Sequence, residues 1–361
     1  MLETILRKET LLKEDLLYLM NVTNAEDLEL LYQEAYHTKE TYVGRKAYYR
    51  GLIEFSNICN KDCYYCGIRR SNAQVDRFHM SKDEILNMAC WAYENNYGSV
   101  TLQSGERQDK EFTQFISDVI TDIKRETKGK LGLTLCLGEQ TEETYQKWFD
   151  AGAHRYLLRV ETTNQELYKN IHPDDEKHSL NFRIACLKSL KSIGYQVGTG
   201  VMIGLPHQTT ADLVNDILFF KEMDIDMIGM GPYVVHSDTP LGKEAIEAKQ
   251  DTKEEKEKRF ELGLKMIAIT RLFLKDVNIA ATTALQALNP LGREMGLKAG
   301  ANILMPIITL EGYREKYQLY DDKPCINDSA DKCKTCLTNR VISVGDTVGF
   351  GEWGDSPHFK R

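Results

Sequence analysis

Six of the nine cysteines in this sequence form two groups of three, and these groups are the residues best suited to support chemistry. The first group is Cys59, Cys63 and Cys66, and the second group is Cys325, Cys333 and Cys336. The remaining three cysteines are scattered singly. Because the cytosol keeps thiols reduced, clustered cysteines in an intracellular chain indicate metal binding rather than disulfides.

The first group lies in the segment CNKDCYYC, directly after the apolar run RGLIEFS. Three thiols within eight residues cannot face one point from a regular strand, but a loop can wrap them around a compact centre. Cysteine thiolates are the usual ligands of iron–sulfur cubes, and a four-iron cube held by three of them leaves one iron open. The alternative is a zinc knuckle whose fourth ligand comes from elsewhere in the chain.

The elements that must position these thiols are eight short β-rich runs that alternate with helical segments. They are RGLIEFS, SVTLQSG, LGLTLCLG, HRYLLRVE, YQVGTGVMIGL, DMIGMGP, VNIAAT and ANILMP. Eight βα units predict an α/β fold of the (β/α)8 TIM-barrel type. A doubly wound open sheet has the same local signals, but the strand count and the length favour the barrel, where active sites lie at the carboxyl ends of the strands.

Three regions are predicted along the chain. Residues 1–47 form an N-terminal helical extension, residues 48–306 form the barrel, and residues 307–361 form an irregular C-terminal tail that closes the barrel. The segment 81–84 carries the Ser-x-x-Glu pattern of a capping box and predicts the start of the first barrel helix.

Composition excludes several classes of protein. The chain of 361 residues carries 54 acidic and 46 basic residues, a net charge of −8, and no dense basic block, so we expect no nucleic-acid partner. No apolar run reaches the length of a membrane span, and the N-terminus lacks the pattern of a signal peptide. A cytoplasmic protein without a membrane association is therefore predicted.

The first cysteine group, with Tyr65 before its last member, resembles the signature of the radical S-adenosylmethionine (SAM) enzymes. This resemblance implies a [4Fe–4S] cluster whose open iron binds the amino and carboxylate groups of SAM. It also implies reductive cleavage of SAM to methionine and a 5′-deoxyadenosyl radical, with Cys59, Cys63 and Cys66 as the catalytic cluster ligands.

The resemblance also implies which other residues hold SAM and the substrate. Gln103, Ser104 and Gly105 match the segment that receives the methionine amino group, Glu161 matches the carboxylate that holds the ribose, and Arg183 matches the arginine for the methionine carboxylate. The implied cofactor-binding set is Tyr65, Gln103, Ser104, Gly105, Cys136, Glu161 and Arg183. The implied substrate-binding set is Thr134, Arg155, Arg159, Thr282, Thr283, Tyr317 and Tyr320.

Within the family, strings such as LQSGE, TLCLGE, AGAHRYLLRVET and GMGPYVVHSDTPL are most similar to the HydE-like maturases of [FeFe]-hydrogenase. That likeness implies a small organometallic substrate, an anionic iron–cysteine species with carbonyl and cyanide ligands. It also implies the maturases HydG and HydF as partners and a low-potential electron donor. Two positions depart from the family pattern: Cys136 stands where Ser is common, and Val160 where His is usual.

The second cysteine group resembles an auxiliary iron–sulfur site of HydE-like proteins, either [4Fe–4S] or [2Fe–2S], at the surface of the tail. A zinc site or unrelated surface thiols are the alternatives. For the whole chain, the alternatives to a HydE-like enzyme are a radical isomerase similar to methylornithine synthase and a non-catalytic iron–sulfur scaffold or electron carrier. The tail cysteines argue against the isomerase, and the SAM-binding residues argue against the carrier.

Overall fold

The strands form a parallel barrel. The structure, a computed structural model, describes residues 1–359. Its strands are β1 Lys46–Ser56, β2 Ser99–Ser104, β3 Gly132–Cys136, β4 Arg155–Leu157, β5 Gln196–Thr199, β6 Met202–Ile203, β7 Met227–Ile228, β8 Gly231–Pro232, β9 Asn278–Ile279, β10 Ile303–Leu304 and β11 Thr347–Val348. All eight predicted strands are present, and the fifth and sixth are each divided in two, as β5 with β6 and β7 with β8.

The barrel is a closed ring. Hydrogen-bonded neighbours follow the order β10, β1, β2, β3, β4, β5, β7, β9, and every pair is parallel. The gap between β9 and β10 is bridged at Ala280 and Ile303, where the Ala281 N–H donates to the Ile303 carbonyl at 2.9 Å. The predicted α/β barrel is therefore confirmed, and the open-sheet alternative is wrong.

Helices surround the strands. They are α1 Leu2–Leu6, α2 Lys13–Met20, α3 Ala25–Tyr42, α4 Lys82–Glu94, α5 Lys110–Glu126, α6 Glu142–Asp150, α7 Gln165–Asn170, α8 Leu180–Ile193, α9 Thr210–Glu222, α10 Pro240–Glu247, α11 Lys253–Leu274, α12 Thr283–Leu288, α13 Gly292–Lys298, α14 Glu311–Arg314 and α15 Ala330–Ser343. The predicted capping box begins α4, where the Ser81 hydroxyl accepts from the Glu84 N–H. Within residues 1–359, no helix is both long and apolar enough to cross a bilayer.

The N-terminal extension is helical only as far as Tyr42, and β1 begins at Lys46, earlier than predicted. Ala47 and Tyr49 are buried, so the first residues of β1 already contribute to the core. α3 packs along α11, the longest helix of the barrel wall.

The tail is more ordered than predicted, so the expectation of an irregular extension is wrong. It contains the 14-residue helix α15, which begins after the N-cap Ser329 and buries Cys333, Leu337 and Val341 at helical spacing. β11 then pairs in parallel with the start of β1. This apolar spacing is typical of a helix, which the prediction of an irregular tail did not include.

The last described residues seal the amino-terminal end of the barrel. Arg155 at the start of β4 donates to the Trp353 carbonyl at 2.8 Å and pairs with Asp355 at 2.9 Å. Arg50 and Asn278 donate to the Gly354 carbonyl at 3.2 and 2.8 Å. The end of the tail thus contacts the barrel at the end opposite to the first cysteine group, whereas earlier tail residues such as Tyr317 and Lys323 lie at the mouth.

Candidate active site

The loop that follows β1 carries the first cysteine group at the carboxyl ends of the strands. Arg77 fixes its conformation by donating to the carbonyls of Asn57, Ile68 and Arg69 at 2.6–2.8 Å. The Cys59 sulfur accepts from the Glu106 N–H at 3.3 Å. The loop therefore holds its cysteines against the end of β2.

All three thiols of this group line one cavity of about 330 Å³ inside the barrel mouth. Burial raises the pKa of each of them, and that of Cys66 to about 12, so the protein environment alone does not favour the thiolates. A bound iron would supply the positive charge that they need.

Among residues 1–359, no three His, Cys, Asp or Glu side chains converge closely enough to hold a single metal ion. A cube separates the sulfurs of its ligands, since each binds a different iron. The three half-buried cysteines at the cavity wall are suited to such a cube.

The end of β2 supports the cysteine loop directly. A Cβ atom on Gly105 would lie 2.4 Å from the Ile58 carbonyl oxygen and 2.8 Å from Cβ of Cys59, so only glycine fits there. This glycine therefore allows a close approach between the end of β2 and the cysteine loop. Gln103 donates to the Tyr317 hydroxyl at 3.3 Å, and Ser104 to the Gly105 carbonyl at 2.7 Å.

Glu161 lies on the cavity wall after β4 with a left-handed backbone, φ +65°. Its carboxylate accepts two hydrogen bonds from Arg159, at 3.2 and 2.8 Å. A residue other than glycine with this backbone is uncommon and points to a functional constraint. The structure thus joins a residue predicted for SAM to one predicted for the substrate.

Arg183 lies on α8 rather than at a strand end. It pairs with Glu139 at 2.9 Å and with Glu106 at 3.3 Å, and Lys61 pairs with the same carboxylates at 2.6 and 3.1 Å. These four residues, of which Arg183 is half-buried and the other three are buried, are called the charge cluster below. Burial opposes the charge of Arg183, but Glu139 and Glu106 outweigh it and hold the pKa of the guanidinium above its ordinary value.

Lys61 and Glu139 of this cluster were not predicted from the sequence as site residues. Lys61 lies inside the cysteine loop, and Glu139 lies three residues after Cys136 in the loop that follows β3. A Cβ atom on Gly138 would come within 2.1 Å of the Glu106 carboxylate, so this glycine makes room for the cluster. Charged residues just beyond strand ends were the signal that could have identified them.

Tyr65 and Cys136 also line the cavity. The Tyr65 ring meets the buried His172 ring edge-on at 5.4 Å, and its hydroxyl lies 3.5 Å from His172 Nε2. Burial raises the pKa of Cys136 to about 12, so the thiol is protonated near neutral pH.

Five of the seven predicted substrate residues line the same cavity, and they are Arg159, Thr282, Thr283, Tyr317 and Tyr320. The Tyr320 hydroxyl donates to the Thr283 hydroxyl at 2.9 Å. The buried Thr282 hydroxyl has no hydrogen-bond partner among the described residues. Glu54 and Lys323 complete the wall as a buried ion pair at 2.6 Å.

The structure does not place Thr134 and Arg155 in this cavity, which corrects the prediction for both. Arg155 donates to the Thr134 hydroxyl at 3.0 Å and is committed to the tail at the closed end of the barrel. Thr134 lines a separate, smaller cavity of about 30 Å³ at that end. The reason is their depth, since Arg155 is the first residue of β4 and Thr134 lies in the middle of β3, below the strand ends that form the mouth.

The second cysteine group is divided between two environments. Cys333 is buried on α15, Cys336 one turn later is exposed, and Cys325 lies before the helix with φ +67°. The neighbouring Cys333 thiol lowers the pKa of the Cys325 thiol below its ordinary value. The predicted surface position therefore holds for Cys336 and not for Cys333.

Known proteins with sequences similar to this chain include radical SAM enzymes. The model of the Radical SAM superfamily matches residues 53–220. The chain is 43% identical over 328 residues to the [FeFe] hydrogenase maturase subunit HydE of Thermotoga maritima, covering 90% of this chain and 88% of that protein. It is 26% identical over 322 residues to 3-methylornithine synthase of Methanosarcina acetivorans, covering 88% of this chain and 86% of that protein.

Solved structures share the fold. The crystal structure of methylornithine synthase (PylB) matches with a TM-score of 0.80 at 21% identity and covers 97% of both chains. The maturase HydG from Carboxydothermus hydrogenoformans matches with a TM-score of 0.79 at 19% identity, covering 97% of this chain and 79% of that one. At these identities the likeness establishes the barrel architecture.

Proposed function

The chain belongs to the radical SAM superfamily and, within it, to the family of the [FeFe]-hydrogenase maturase HydE, and we propose that it acts in assembly of the hydrogenase active-site cluster. Membership implies an enzyme with a [4Fe–4S] cluster and SAM. The observation that carries the proposal is the cavity that Cys59, Cys63 and Cys66 share with Glu161, Arg183 and five of the seven predicted substrate residues.

Cys59, Cys63 and Cys66 would hold the cluster, which with bound SAM supplies a 5′-deoxyadenosyl radical. The protein's own task is to present the nucleoside and the methionine to that centre in one orientation. Glu161 is positioned for the ribose because Arg159 restrains its carboxylate and its backbone is fixed in a strained turn. Tyr65 and the end of β2, Gln103 to Gly105, would complete the nucleoside and methionine sites, with Cys136 beside them.

Arg183 has two tasks in this proposal. It balances Glu106 and Glu139 inside the charge cluster, and it would offer its guanidinium to the methionine carboxylate. Since the cluster already contains two carboxylates and two cations, it holds the guanidinium in place before SAM arrives. The barrel then keeps water away from the reacting atoms.

For the substrate, we propose a small anionic iron species with carbonyl and cyanide ligands and a cysteine. The unpartnered Thr282 hydroxyl and the Tyr320–Thr283 pair offer hydrogen-bond donors on the cavity wall, and Arg159 offers positive charge. Such a pocket, mostly apolar with a few fixed polar groups, suits a compact anion. Tyr317, anchored to Gln103, would close the remaining side.

Further proposals follow from the same family membership. The second cysteine group would hold a second iron–sulfur cluster, [4Fe–4S] or [2Fe–2S]. A low-potential donor would supply electrons, and the maturases HydG and HydF would act before and after this enzyme in the cytoplasm. The isomerase alternative has less support, because identity to the methylornithine synthase is 26% against 43% to the maturase.

A maturation assay tests the function. An anaerobic mixture of unmatured [FeFe]-hydrogenase, HydG, HydF, SAM and a low-potential reductant, lacking HydE, should evolve hydrogen after addition of this protein. The Cys63→Ala variant should restore nothing, and Cys90→Ala, altered at a half-buried cysteine of α4, should act as the parent does. Formation of 5′-deoxyadenosine without activation of the hydrogenase would contradict the maturase role and leave a radical enzyme with another substrate.

A further inference from the structure

Arg293 on α13 is buried in a way that the proposed reaction does not explain. Its side chain is 1% exposed, and none of its three guanidinium nitrogens has a hydrogen-bond partner among residues 1–359. Arg271, equally buried, donates to the carbonyls of Gly300, Lys275 and Val277 at 2.6–2.9 Å. A buried charge without partners is strongly unfavourable, so Arg293 requires an anion that these residues do not supply.

The second cysteine group lies within electrostatic range of this unmet charge, as do the side chains of Tyr49 and Tyr320. Arg293 acts electrostatically on the thiols of Cys325 and Cys333, and α13 packs against α15, which carries Cys333. The next residue, Glu294, pairs with Arg340 at 2.8 Å, and Arg340 donates to the Cys336 sulfur at 3.4 Å. Arg293 therefore acts on Cys325 and Cys333, whereas Glu294 is linked to Cys336 through Arg340.

A third arginine contacts this region without sharing the anomaly. Arg314 donates to the Cys325 carbonyl at 3.0 Å and to the Thr309 carbonyl at 2.6 Å, so its guanidinium is satisfied by the backbone. Arg340 has its carboxylate partner. Of the three arginines around the second cysteine group, Arg293 alone is wholly unpaired within the described part of the chain.

We infer that Arg293 is the counter-charge of an anionic iron–sulfur cluster held by Cys325, Cys333 and Cys336. This inference rests on the proposed second cluster. Three thiolates and bridging sulfides give such a cluster a net negative charge, and a guanidinium beside the sulfurs compensates it and donates hydrogen bonds to them. Positive charge and hydrogen bonds at the sulfurs raise the reduction potential of a cluster.

Loss of the Arg293 charge should therefore have opposite effects on the iron-loaded protein and on the metal-free protein. Arg293→Met should weaken iron retention by the second group, since loss of a group that supports a metal site lowers affinity by about 10- to 100-fold. The same variant should leave the metal-free protein as stable as the parent or more stable, because it removes an uncompensated buried charge. Arg293→Lys should keep most of the iron because it keeps the charge.

The test uses the full chain with Cys59, Cys63 and Cys66 replaced by alanine, so that bound iron reports the second group alone. Anaerobic loading with ferrous iron and sulfide is followed by iron and sulfide analysis during chelator challenge, and the metal-free forms are melted. We expect Arg293→Met to lose iron at least about tenfold more readily while melting no lower than its parent. Arg271→Met is the matched control, because Arg271 is a buried arginine whose hydrogen bonds are satisfied by carbonyls away from the cysteines. Its metal-free form should melt at a lower temperature than the parent.

Two results would overturn the role of Arg293 while leaving the proposed second cluster in place. One is iron retention by Arg293→Met equal to that of its parent, and the other is a metal-free Arg293→Met that melts at a lower temperature than its parent or fails to fold. Iron loss by Arg293→Lys equal to that of Arg293→Met would also overturn it. If the parent with only the second group binds no iron, the proposed second cluster fails as well, and the role of Arg293 fails with it.

Discussion

Arg183→Met should expose how strongly the charge cluster depends on one guanidinium. The substitution leaves the buried carboxylates of Glu106 and Glu139 with Lys61 but without the arginine that lies 3.3 and 2.9 Å from them. Breaking a buried pair by removal of one partner costs about 3–5 kcal/mol. We therefore expect the free energy of unfolding of the metal-free protein to fall by about that amount at pH 8.

A second substitution restores the balance of charge. In Arg183→Met/Glu139→Gln one cation and one carboxylate are gone together, so Glu106 and Lys61 remain as a pair at 3.1 Å. The double variant should regain at least about 1 kcal/mol over Arg183→Met, within the range of coupling between contacting residues. Binding of SAM should stay weak in both variants, because neither offers a guanidinium to the methionine carboxylate.

The defect of Arg183→Met should also depend on pH. Burial raises the pKa of Glu106, so its contribution to stability is present at low pH and is lost as the pH rises through that raised value. Without Arg183 the pKa of Glu106 rises further, and the destabilisation should shrink from pH 8 to pH 5. Urea unfolding at both pH values is the measurement. A loss below about 1 kcal/mol at pH 8, or a double variant no more stable than the single one, would refute the reasoning.

Three further predictions concern other parts of the molecule. Glu161→Gln should weaken SAM binding by about 10- to 100-fold with unchanged iron content, since a charge-assisted hydrogen bond contributes about 1.5–3 kcal/mol. Anaerobic calorimetry measures the affinity, and an unchanged affinity would count against a role of Glu161 in binding the ribose. Replacement of Cys325, Cys333 and Cys336 by alanine should lower iron per chain but keep SAM cleavage within a fewfold of the parent, and collapse of cleavage beside an intact first cluster would make the tail site an obligatory redox partner. Burial raises the pKa of Asp216 to about 7, so the free energy of unfolding should fall as the pH rises toward 7. Asp216→Asn should reduce this pH dependence in urea unfolding between pH 5 and pH 8, and an equal pH dependence in parent and variant would contradict the assignment.

The barrel could be predicted from the sequence because β-rich runs alternate with helices, several of which begin at a local start signal. Asn24, Ser81, Asp109 and Thr141 all accept backbone hydrogen bonds at helix starts, as their positions before apolar periodic segments indicate. These signals depend on neighbours in the chain, so they are readable without the fold. The cysteine loop was predictable for the same reason.

Long-range pairing was not predictable in this way. Lys61 and Glu139 meet across 2.6 Å although they are 78 residues apart, and nothing local marks one as the partner of the other. Depth inside the barrel was equally hidden: Arg155 and Thr134 have residue types suited to an anion, but a strand's sequence does not show how far each residue lies from the mouth. The helix α15 was missed because its cysteines were assigned to metal before its apolar spacing was considered.

The account depends most on the first cysteine group as the centre of SAM cleavage. The direct measurement is 5′-deoxyadenosine formed under anaerobic conditions by reduced, iron-loaded protein with SAM, compared among the parent, Cys63→Ala and Cys90→Ala. The parent and Cys90→Ala should form the nucleoside at similar rates, and Cys63→Ala should form none above the protein-free background. Full cleavage by Cys63→Ala, or no cleavage by a parent that carries its cluster, would contradict the account.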